Sequence, residues 1–295
     1  MTTSEPEHFQ FASTDGLRIA CVKWKPRSTV RGVVQIAHGL GEHIGRYGEL
    51  AAVLTQEGFA VYGNDHRGHG LTAKSSANFG GFGPGGFDQL VEDMATLTAR
   101  VRAEHPDVPL ILLGHSMGSF ACQQFILDHS RALDGLALSG SGALDGLAQA
   151  VQGVPIENAM GLMNAGFGPV RTPLDWLSRD AAEVDAAIRD RLCFPSLQPR
   201  SMESFVGAGA RLADAHEIGK VRKDLPIYLF SGSDDPVGQR LDGVNLLIRR
   251  YRSAGIASIE HDFYPGGRHE MLHEINRGEV SARLTAWMAR VQRTR

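Results

Sequence analysis

The chain alternates short apolar runs with stretches in which apolar residues recur every three or four positions. The short runs predict buried strands, and the longer periodic stretches predict amphipathic helices. The predicted strands are 17–24, 32–37, 59–62, 108–113, 133–138, 225–230 and 257–264, and the predicted helices are 47–57, 87–104, 119–127, 243–254 and 280–290. Strands that alternate with helices predict an α/β fold, in which helices cover both faces of a mostly parallel sheet.

The alternation stops between residues 141 and 224, where apolar residues are interrupted by glycines and prolines and no strand pattern is found. We therefore expect two units: an α/β core built from 1–140 and 225–295, and a helical lid (cap) inserted as 141–224. Ligands of such sheets bind at the carboxyl ends of the strands, so a lid over those ends must line the pocket. Most apolar residues of the insertion should pack within it. The candidates for the pocket lining are Met160, Leu162, Met163 and Phe167.

Composition narrows the function classes. The chain has 295 residues, a net charge of −3 and scattered lysines and arginines, which argues against nucleic acid as a partner. No apolar run approaches the roughly 20 residues that span a bilayer, and the polar, acidic start lacks the features of a secretory signal. The three cysteines, Cys21, Cys122 and Cys193, are far apart and odd in number. They suit reduced thiols, so we expect a cytoplasmic protein.

The most informative motif is Gly-His-Ser-Met-Gly at 114–118, which lies between a predicted strand and a predicted helix. A G-x-S-x-G motif between a strand and a helix is typical of a nucleophile elbow, so we predict that Ser116 is a nucleophile. A serine hydroxyl is a weak nucleophile unless a base removes its proton, and a sharp turn presents it to that base. The alternative is a tight strand–helix turn without catalysis, because the chain contains 35 glycines.

A serine nucleophile needs a histidine base and a carboxylate that orients the histidine. In this architecture the chain order is Ser, then Asp or Glu, then His. Asp234 and Asp235 lie in the loop after the predicted strand 225–230, and His269 follows the last predicted strand on a glycine-rich turn.

A rival hypothesis starts from the same histidine. His-Glu-Met-Leu-His at 269–273 matches H-E-x-x-H, a zinc-protease motif that needs both histidines on one face of a helix. Here the first histidine follows Pro265, Gly266 and Gly267, which disfavours a helix at that point. We therefore expect His273 to lie near the site without a catalytic role.

Acyl transfer also needs two backbone N–H groups directed at the oxyanion. One should come from Met117, the residue after the nucleophile, and the other from the loop after an early strand. That loop is His-Gly-Leu-Gly at 38–41, with Leu40 as the donor. His38 itself is expected to brace the loop.

Taken together, these motifs resemble one family. His-Gly-Leu-Gly-Glu-His-Ile-Gly-Arg-Tyr at 38–47 is the most discriminating, and Asp-His-Arg-Gly-His-Gly at 65–70, the elbow, Gly-Ser-Asp-Asp at 232–235 and His269 complete the set. The chain resembles an α/β-hydrolase of the monoacylglycerol lipase and lysophospholipase group, which is also classed with serine aminopeptidase-like hydrolases. The resemblance implies the triad Ser116, Asp235 and His269, and the oxyanion hole Leu40 and Met117. It favours Asp235 over Asp234, which would cap or turn the loop. Ser119 departs from the family, which usually has glycine there.

The resemblance implies hydrolysis of a carboxylic ester through an acyl-enzyme, without a metal or an organic cofactor. The expected substrate is a monoacylglycerol or a similar ester with a medium or long acyl chain, and the lid could touch a membrane surface transiently. A lysophospholipase, a short-chain carboxylesterase, an aminopeptidase, a perhydrolase and a non-catalytic binding protein on the same fold are the alternatives. The mixture of acidic and basic residues in 141–224 selects neither a lysophospholipase nor an aminopeptidase, and no pattern specifies an oligomeric state.

Overall fold

A single eight-stranded sheet organises the chain. The structure, a computed structural model, describes residues 5–150, 162–194 and 196–292. The strands are β1 (Glu7–Ala12), β2 (Arg18–Trp24), β3 (Gly32–Ala37), β4 (Phe59–Asn64), β5 (Leu110–His115), β6 (Gly135–Ser139), β7 (Ile227–Gly232) and β8 (Ile259–Tyr264). Their order in the sheet is β1-β2-β4-β3-β5-β6-β7-β8. The pairs from β4 to β8 are parallel, and β1 and β2 form an antiparallel edge. The predicted α/β class with a mostly parallel sheet is confirmed.

Helices cover both faces of the sheet. They are α1 (Gly48–Gln56), α2 (Gly86–Glu104), α3 (Met117–His129), α4 (Leu144–Ala150), α5 (Ala181–Arg189), α6 (Pro199–Ala213), α7 (Ala215–Gly219), α8 (Asp242–Ser253) and α9 (Arg277–Met288). Successive side chains of a strand point to opposite faces. In β5, Leu110 and Leu112 pack with α2, α3 and α8, whereas Ile111 and Leu113 pack with α1 and α9. Two apolar layers therefore fix the sheet and the loops at its carboxyl end.

The segment between β6 and β7, here called the β6–β7 segment (residues 141–224), contains α4 to α7 and no strand among its described residues. Its last part belongs to the helical layer of the core. Phe205 of α6 packs against Phe87 of α2 and Phe120 of α3, with ring centroids 5.1 and 5.8 Å apart. The division into core and lid at residues 141 and 224 stays a prediction, and α6 shares the packing of the core.

Strand β1 was not predicted. It pairs with β2 at the edge of the sheet, and four of its six residues are exposed, so only Phe9 and Phe11 carry an apolar alternation. This pattern is too short to stand out from the polar start of the chain. No helix among the described residues has the length and apolar character needed to cross a membrane.

Candidate active site

Ser116 occupies a sharp turn between β5 and α3. Its backbone angles are φ 50° and ψ −123°, a conformation that side chains other than glycine rarely adopt. Its N–H donates to the carbonyl of Ser139 at the end of β6, at 3.0 Å. A Cβ on Gly114 would lie 2.6 Å from the Gly118 carbonyl oxygen, and a Cβ on Gly118 would lie 2.1 Å from the Ala37 carbonyl oxygen. The two glycines of the motif are therefore steric requirements of the turn.

His269 and Asp235 meet at the carboxyl end of the sheet. The Nδ1 of His269 lies 2.9 Å from Oδ1 of Asp235, and the two side chains are 2% and 0% exposed. The same oxygen accepts the N–H of Val237 at 2.9 Å. The neighbouring Asp234 instead accepts the hydroxyl of Ser233 at 3.1 Å. The geometry thus joins His269 to Asp235 and separates Asp234 from it.

Two opposing effects set the pKa of His269. Burial disfavours the imidazolium and lowers the pKa, but the Asp235 carboxylate, by its charge and its hydrogen bond, raises the pKa further, so the net shift is upward. His115, inside the serine motif, has no such carboxylate partner. Burial and the neighbouring His269 lower its pKa to about 4, so it is neutral near pH 7.

The ring of His269 is enclosed on three sides. His115 packs on it with centroids 4.8 Å apart, and Trp176 of the β6–β7 segment packs on it at 5.0 Å. Gly140 closes the third side, since a Cβ there would lie 2.8 Å from Cε1 of His269. The Nδ1 edge faces Asp235, and Nε2 forms no hydrogen bond with any described residue, which leaves it available for the serine proton.

Two potential oxyanion donors have different origins: Leu40 lies in the loop after β3, and Met117 is the first residue of α3. The N–H of Gly39 is already bound by the Oε1 of Glu42. Neither the N–H of Leu40 nor that of Met117 donates a hydrogen bond to a residue that the structure describes. His38 braces this loop: its Nδ1 lies 2.8 Å from the Gly39 carbonyl oxygen, and its Nε2 accepts the N–H of His66 at 2.9 Å. These two contacts require the neutral tautomer with the proton on Nδ1.

A buried ion cluster connects this loop to the histidine loop. Arg46 donates to Glu42 at 3.1 Å and to both oxygens of Glu270 at 2.7 and 2.8 Å. Tyr47 donates its hydroxyl to Glu42 at 2.7 Å. Burial alone would raise the pKa of both carboxyls, but Arg46 holds the pKa of Glu42 and of Glu270 below the ordinary value. Glu42, Arg46 and Tyr47 belong to the motif at 38–47 but had no separate predicted role, and this cluster connects the two loops of the site.

The residues of the H-E-x-x-H motif are engaged elsewhere. Residues Met271–His273 form one short 3-10 turn, so the two histidines do not share a helix face. His269 binds Asp235, Glu270 binds Arg46, and the Nε2 of His273 lies 3.3 Å from the carbonyl oxygen of Arg46. The arrangement lacks the helical geometry that a zinc protease requires.

The predicted pocket-lining residues have different surroundings. Met160 lies outside the described residues. Leu162 is 43% exposed, whereas Met163 and Phe167 are half-buried against the core. Phe167 lies under the guanidinium of Arg268, 4.5 Å from its ring centroid, next to the catalytic candidate His269. Sequence reasoning missed Trp176, which contacts His269 directly; its only signal was its place in the apolar insertion.

Ser119, the departure from the family pattern, takes part in a buried chain of hydroxyls. Its Oγ lies 2.6 Å from the carbonyl oxygen of Ser116 and 2.8 Å from the Oγ of Ser141. Gln123 donates to Ser141 at 3.0 Å. Because each hydroxyl has one proton, the consistent order of donation is Gln123 to Ser141, Ser141 to Ser119, and Ser119 to the Ser116 carbonyl. These hydrogen bonds connect the turn at Ser116 to the start of the β6–β7 segment.

Comparisons with known proteins identify the family and the fold of the chain. The family model described as serine aminopeptidase, S33, matches residues 28–276. A monoacylglycerol lipase of Mycolicibacterium smegmatis is 29% identical over 98% of this chain and 99% of its own length. A monoglyceride lipase of Mus musculus is 30% identical over 93% of this chain and 90% of its own length. The crystal structure of a highly thermostable carboxyl esterase from Bacillus coagulans in complex with glycerol superimposes with a TM-score of 0.88, at 31% identity, covering 98% of this chain and 99% of that chain. The predicted α/β-hydrolase fold and family resemblance are confirmed.

Proposed function

The chain belongs to the serine aminopeptidase, S33, family of hydrolases, and on this premise we propose that it is a serine hydrolase that cleaves monoacylglycerols or similar esters with medium or long acyl chains. The observation that carries the proposal is the buried pair of His269 and Asp235, whose Nδ1 and Oδ1 atoms are 2.9 Å apart, together with the positive φ of Ser116 in the turn after β5. It is a carboxylic ester hydrolase, as its full-length relatives named as lipases and its structural neighbour named as an esterase support.

The proposed reaction has two steps. The Oγ of Ser116 attacks the acyl carbonyl carbon while Nε2 of His269 takes its proton, and the imidazolium then protonates the leaving alcohol. His269 next removes a proton from water, which attacks the acyl-enzyme, and the same proton returns to Ser116 as the acid leaves. Asp235 fixes the His269 tautomer and stabilises the imidazolium, which agrees with the raised pKa of this histidine.

The N–H groups of Leu40 and Met117 stabilise the oxyanion in both steps. Their lack of other acceptors among the described residues supports this role, because a donor that is already bound contributes less to the developing charge. Gly39, whose N–H is bound by Glu42, is the anchor of the loop and not a donor to the substrate.

An acyl chain would bind beneath the β6–β7 segment. Phe167, Met163 and Trp176 give this side of the site an apolar character, and each buried methylene contributes about 0.8 kcal/mol to binding. The names of the two relatives support a monoacylglycerol as the substrate, and the esterase bound to glycerol supports a glycerol leaving group. We place the protein in the cytoplasm because its three cysteines are free thiols. Transient contact with a membrane surface through this segment remains part of the proposal.

The test is a panel of esters assayed by pH-stat with the wild-type chain, Ser116→Ala and the exposed-site control Ser253→Ala. The panel contains monoacylglycerols of increasing acyl length, lysophosphatidylcholine, a triacylglycerol and an aminoacyl arylamide. We expect turnover of long-chain monoacylglycerols by the wild type and the control, and its loss in Ser116→Ala. Intact turnover in Ser116→Ala would overturn the mechanism. Turnover confined to acetyl esters, lysophosphatidylcholine or the arylamide would overturn the substrate and spare the triad.

A further inference from the structure

Three potential metal ligands converge beside the oxyanion loop, outside the proposed triad. They are the imidazole of His43, the carboxylate of Asp190 and the thiol of Cys193, and one ligand atom of each lies within 4.8 Å of the others. This is the one group of three or more such side chains found among the described residues. His43 follows the oxyanion loop, and the other two follow α5 in the β6–β7 segment, so the group joins parts of the chain that are distant in sequence.

The local backbone explains why the ligands converge. After α5, the chain makes a tight turn in which the N–H of Cys193 donates to the carbonyl of Asp190 at 3.1 Å. The N–H of Leu192 donates to the Asp190 carboxylate at 2.9 Å, and this bond fixes the carboxylate on the inner side of the turn. His43 is held from the other side, with its Nε2 2.9 Å from Oδ2 of Asp190. The side chains of His43 and Asp190 are 15% and 35% exposed, and Cys193 is half-buried.

We propose that His43, Asp190 and Cys193 form a binding site for a divalent zinc ion, with water as the fourth ligand. Imidazole nitrogen, carboxylate oxygen and thiolate sulfur together are the donor set that Zn²⁺ takes in proteins. The thiolate and the carboxylate balance the charge of the ion, and the partial exposure of the three side chains leaves room for the water. Closing the group to zinc-ligand distances requires side-chain movement of the order of 1 Å.

Binding of the ion changes the protonation of two of the three ligands, Cys193 and His43. A cysteine binds zinc as the thiolate, so the Cys193 thiol loses its proton when its sulfur binds the ion. In His43 the ion binds Nε2 in place of the proton, and the ring carries its proton on Nδ1 instead. The Gly45 N–H now bound by Nδ1 at 3.2 Å then turns to solvent, because this bond is exposed. The thiol proton is therefore released when the ion binds, and affinity should rise with pH.

The charges around the group have both signs. The Arg46 cation has the largest electrostatic effect on Cys193, and the carboxylates of Asp190, Glu42 and Glu270 act in the opposite direction. The ion would also strengthen an existing contact, since the N–H of Phe194 donates to the carbonyl of Gly41 at 2.5 Å between the two halves of the site. Bound zinc would then fix the β6–β7 segment against the loop that carries Leu40, without taking part in ester hydrolysis.

The experiment titrates the full chain, freed of metal with a chelator, with Co²⁺ and then displaces it with Zn²⁺. We expect one ion per chain, a near-ultraviolet thiolate-to-cobalt absorption band, release of one proton and a rise in Tm. The variants Cys193→Ser, His43→Gln and Asp190→Asn should each weaken binding by about 10- to 100-fold, and Cys193→Ser should abolish the band.

Two controls separate this site from adventitious binding. Asp185→Asn removes an exposed carboxylate of the same segment, which pairs with Arg171. His129→Gln removes a histidine that lies 3.4 Å from a carboxylate, that of Glu92. Both should bind Co²⁺ as the wild type does. The absence of stoichiometric binding, a band that persists in Cys193→Ser, or equal weakening in the controls would overturn the proposal. None of these results depends on ester hydrolysis, so the proposal can fail while the proposed function stands.

Discussion

Arg46 binds Glu270 through two parallel hydrogen bonds of 2.7 and 2.8 Å, although 224 positions separate the two residues in the chain. Arg46 follows the loop that carries Leu40, and Glu270 follows His269, so this pair connects the loops of the proposed oxyanion donor and the proposed base. A planar guanidinium is suited to such a bidentate bond, and a lysine could not replace it. The motif at 38–47, the most discriminating of the sequence, therefore contributes by positioning the proposed catalytic groups.

Replacing Arg46 by methionine should destabilise the protein strongly. The change leaves the buried carboxylates of Glu42 and Glu270 without a cation, and loss of one partner from a buried pair costs about 3–5 kcal/mol. Urea unfolding at pH 7.5 measures the free energy of unfolding. The double variant Arg46→Met/Glu270→Met should recover part of the loss, because it removes one unpaired carboxylate. The control Arg283→Met, at an exposed pair with Asp262, should change stability by about 0.5 kcal/mol or less. Equal effects at the two arginines would contradict the assigned role.

Replacing Asp235 by asparagine should retain the correct His269 tautomer. The Val237 N–H donates to Oδ1, which directs the amide oxygen to this position, where it still accepts the His269 Nδ1–H. The amide nitrogen then takes the Oδ2 position, which has no partner among the described residues. The loss in kcat should therefore be smaller than the roughly 10⁴-fold loss that follows from a wrong tautomer.

The same variant also tests the electrostatic role of Asp235. The carboxylate raises the pKa of His269, and the base must be neutral to accept the serine proton. The acid limb of the kcat/KM profile should accordingly move to lower pH in Asp235→Asn. An unchanged limb would show that another group titrates there. Asp234→Asn, whose carboxylate accepts only the Ser233 hydroxyl among its side-chain contacts with described residues, is the matched control and should keep the wild-type profile.

Gly140→Ala should lower turnover with the chain still folded. The glycine has φ +54°, and a Cβ would lie 2.8 Å from Cε1 of His269 and 2.9 Å from Cε1 of His115. The methyl group must therefore displace the ring of His269, the proposed base, from Asp235. The expected result is a fall in kcat of at least about tenfold. Gly207→Ala is the control, because a Cβ in this helical position meets no atom within 4 Å. It should stabilise the chain by about 0.5–1 kcal/mol. Full activity in Gly140→Ala would contradict this expectation, because it would show that the His269 ring can accept the methyl group without loss of function.

Local patterns predicted most of the fold and the members of the site, but not their connections. Strand and helix periodicity placed β2 to β7 because each buries at least one face, whereas the exposed edge strand β1 left too little apolar pattern. Ser116, Asp235 and His269 could be proposed because the chemistry requires a chain order. The contact of Trp176 with His269 and the ion pair of Arg46 with Glu270 depend on how distant loops pack, and no periodicity records such packing.

Stability should fall as the pH is lowered from about 6.5 toward 4. Burial lowers the pKa of four fully buried histidines, to about 4 for His69 and His115 and well below the ordinary value for His38 and His66. In this range the unfolded chain binds more protons than the folded chain. Each such histidine therefore removes up to about 1.4 kcal/mol of stability per pH unit as the pH falls. His269, with a raised pKa, acts in the opposite direction: its contribution is present below about pH 6.5 and is lost as the pH rises through the folded-state pKa.

Urea unfolding at pH 5, 6 and 7.5 measures this dependence. His69→Gln should reduce the pH dependence of the unfolding free energy by about one proton. The Nε2 of His69 has no hydrogen-bond partner among the described residues, so the substitution removes one hydrogen bond, from Nδ1 to the Arg67 carbonyl, and the ring contacts with His38 and Phe82. His216→Gln, at an exposed position, should leave the slope unchanged. A slope that is the same in the wild type and in His69→Gln would show that the buried histidine does not control acid stability.

Ser119→Ala should destabilise the chain even though it removes a single oxygen from a position where the family usually has glycine. The hydroxyl accepts the proton of Ser141 and donates to the carbonyl of Ser116. Its removal leaves the buried hydroxyl of Ser141 without its acceptor, at a cost of about 1–3 kcal/mol. The double variant Ser119→Ala/Ser141→Ala removes donor and acceptor together and should recover part of that loss, since Gln123 still donates to the Gly142 carbonyl at 3.1 Å. Additive losses in the urea-unfolding free energies of the two single variants would mean that the hydroxyls are not coupled, and that Ser119 does not tie the nucleophile turn to the β6–β7 segment.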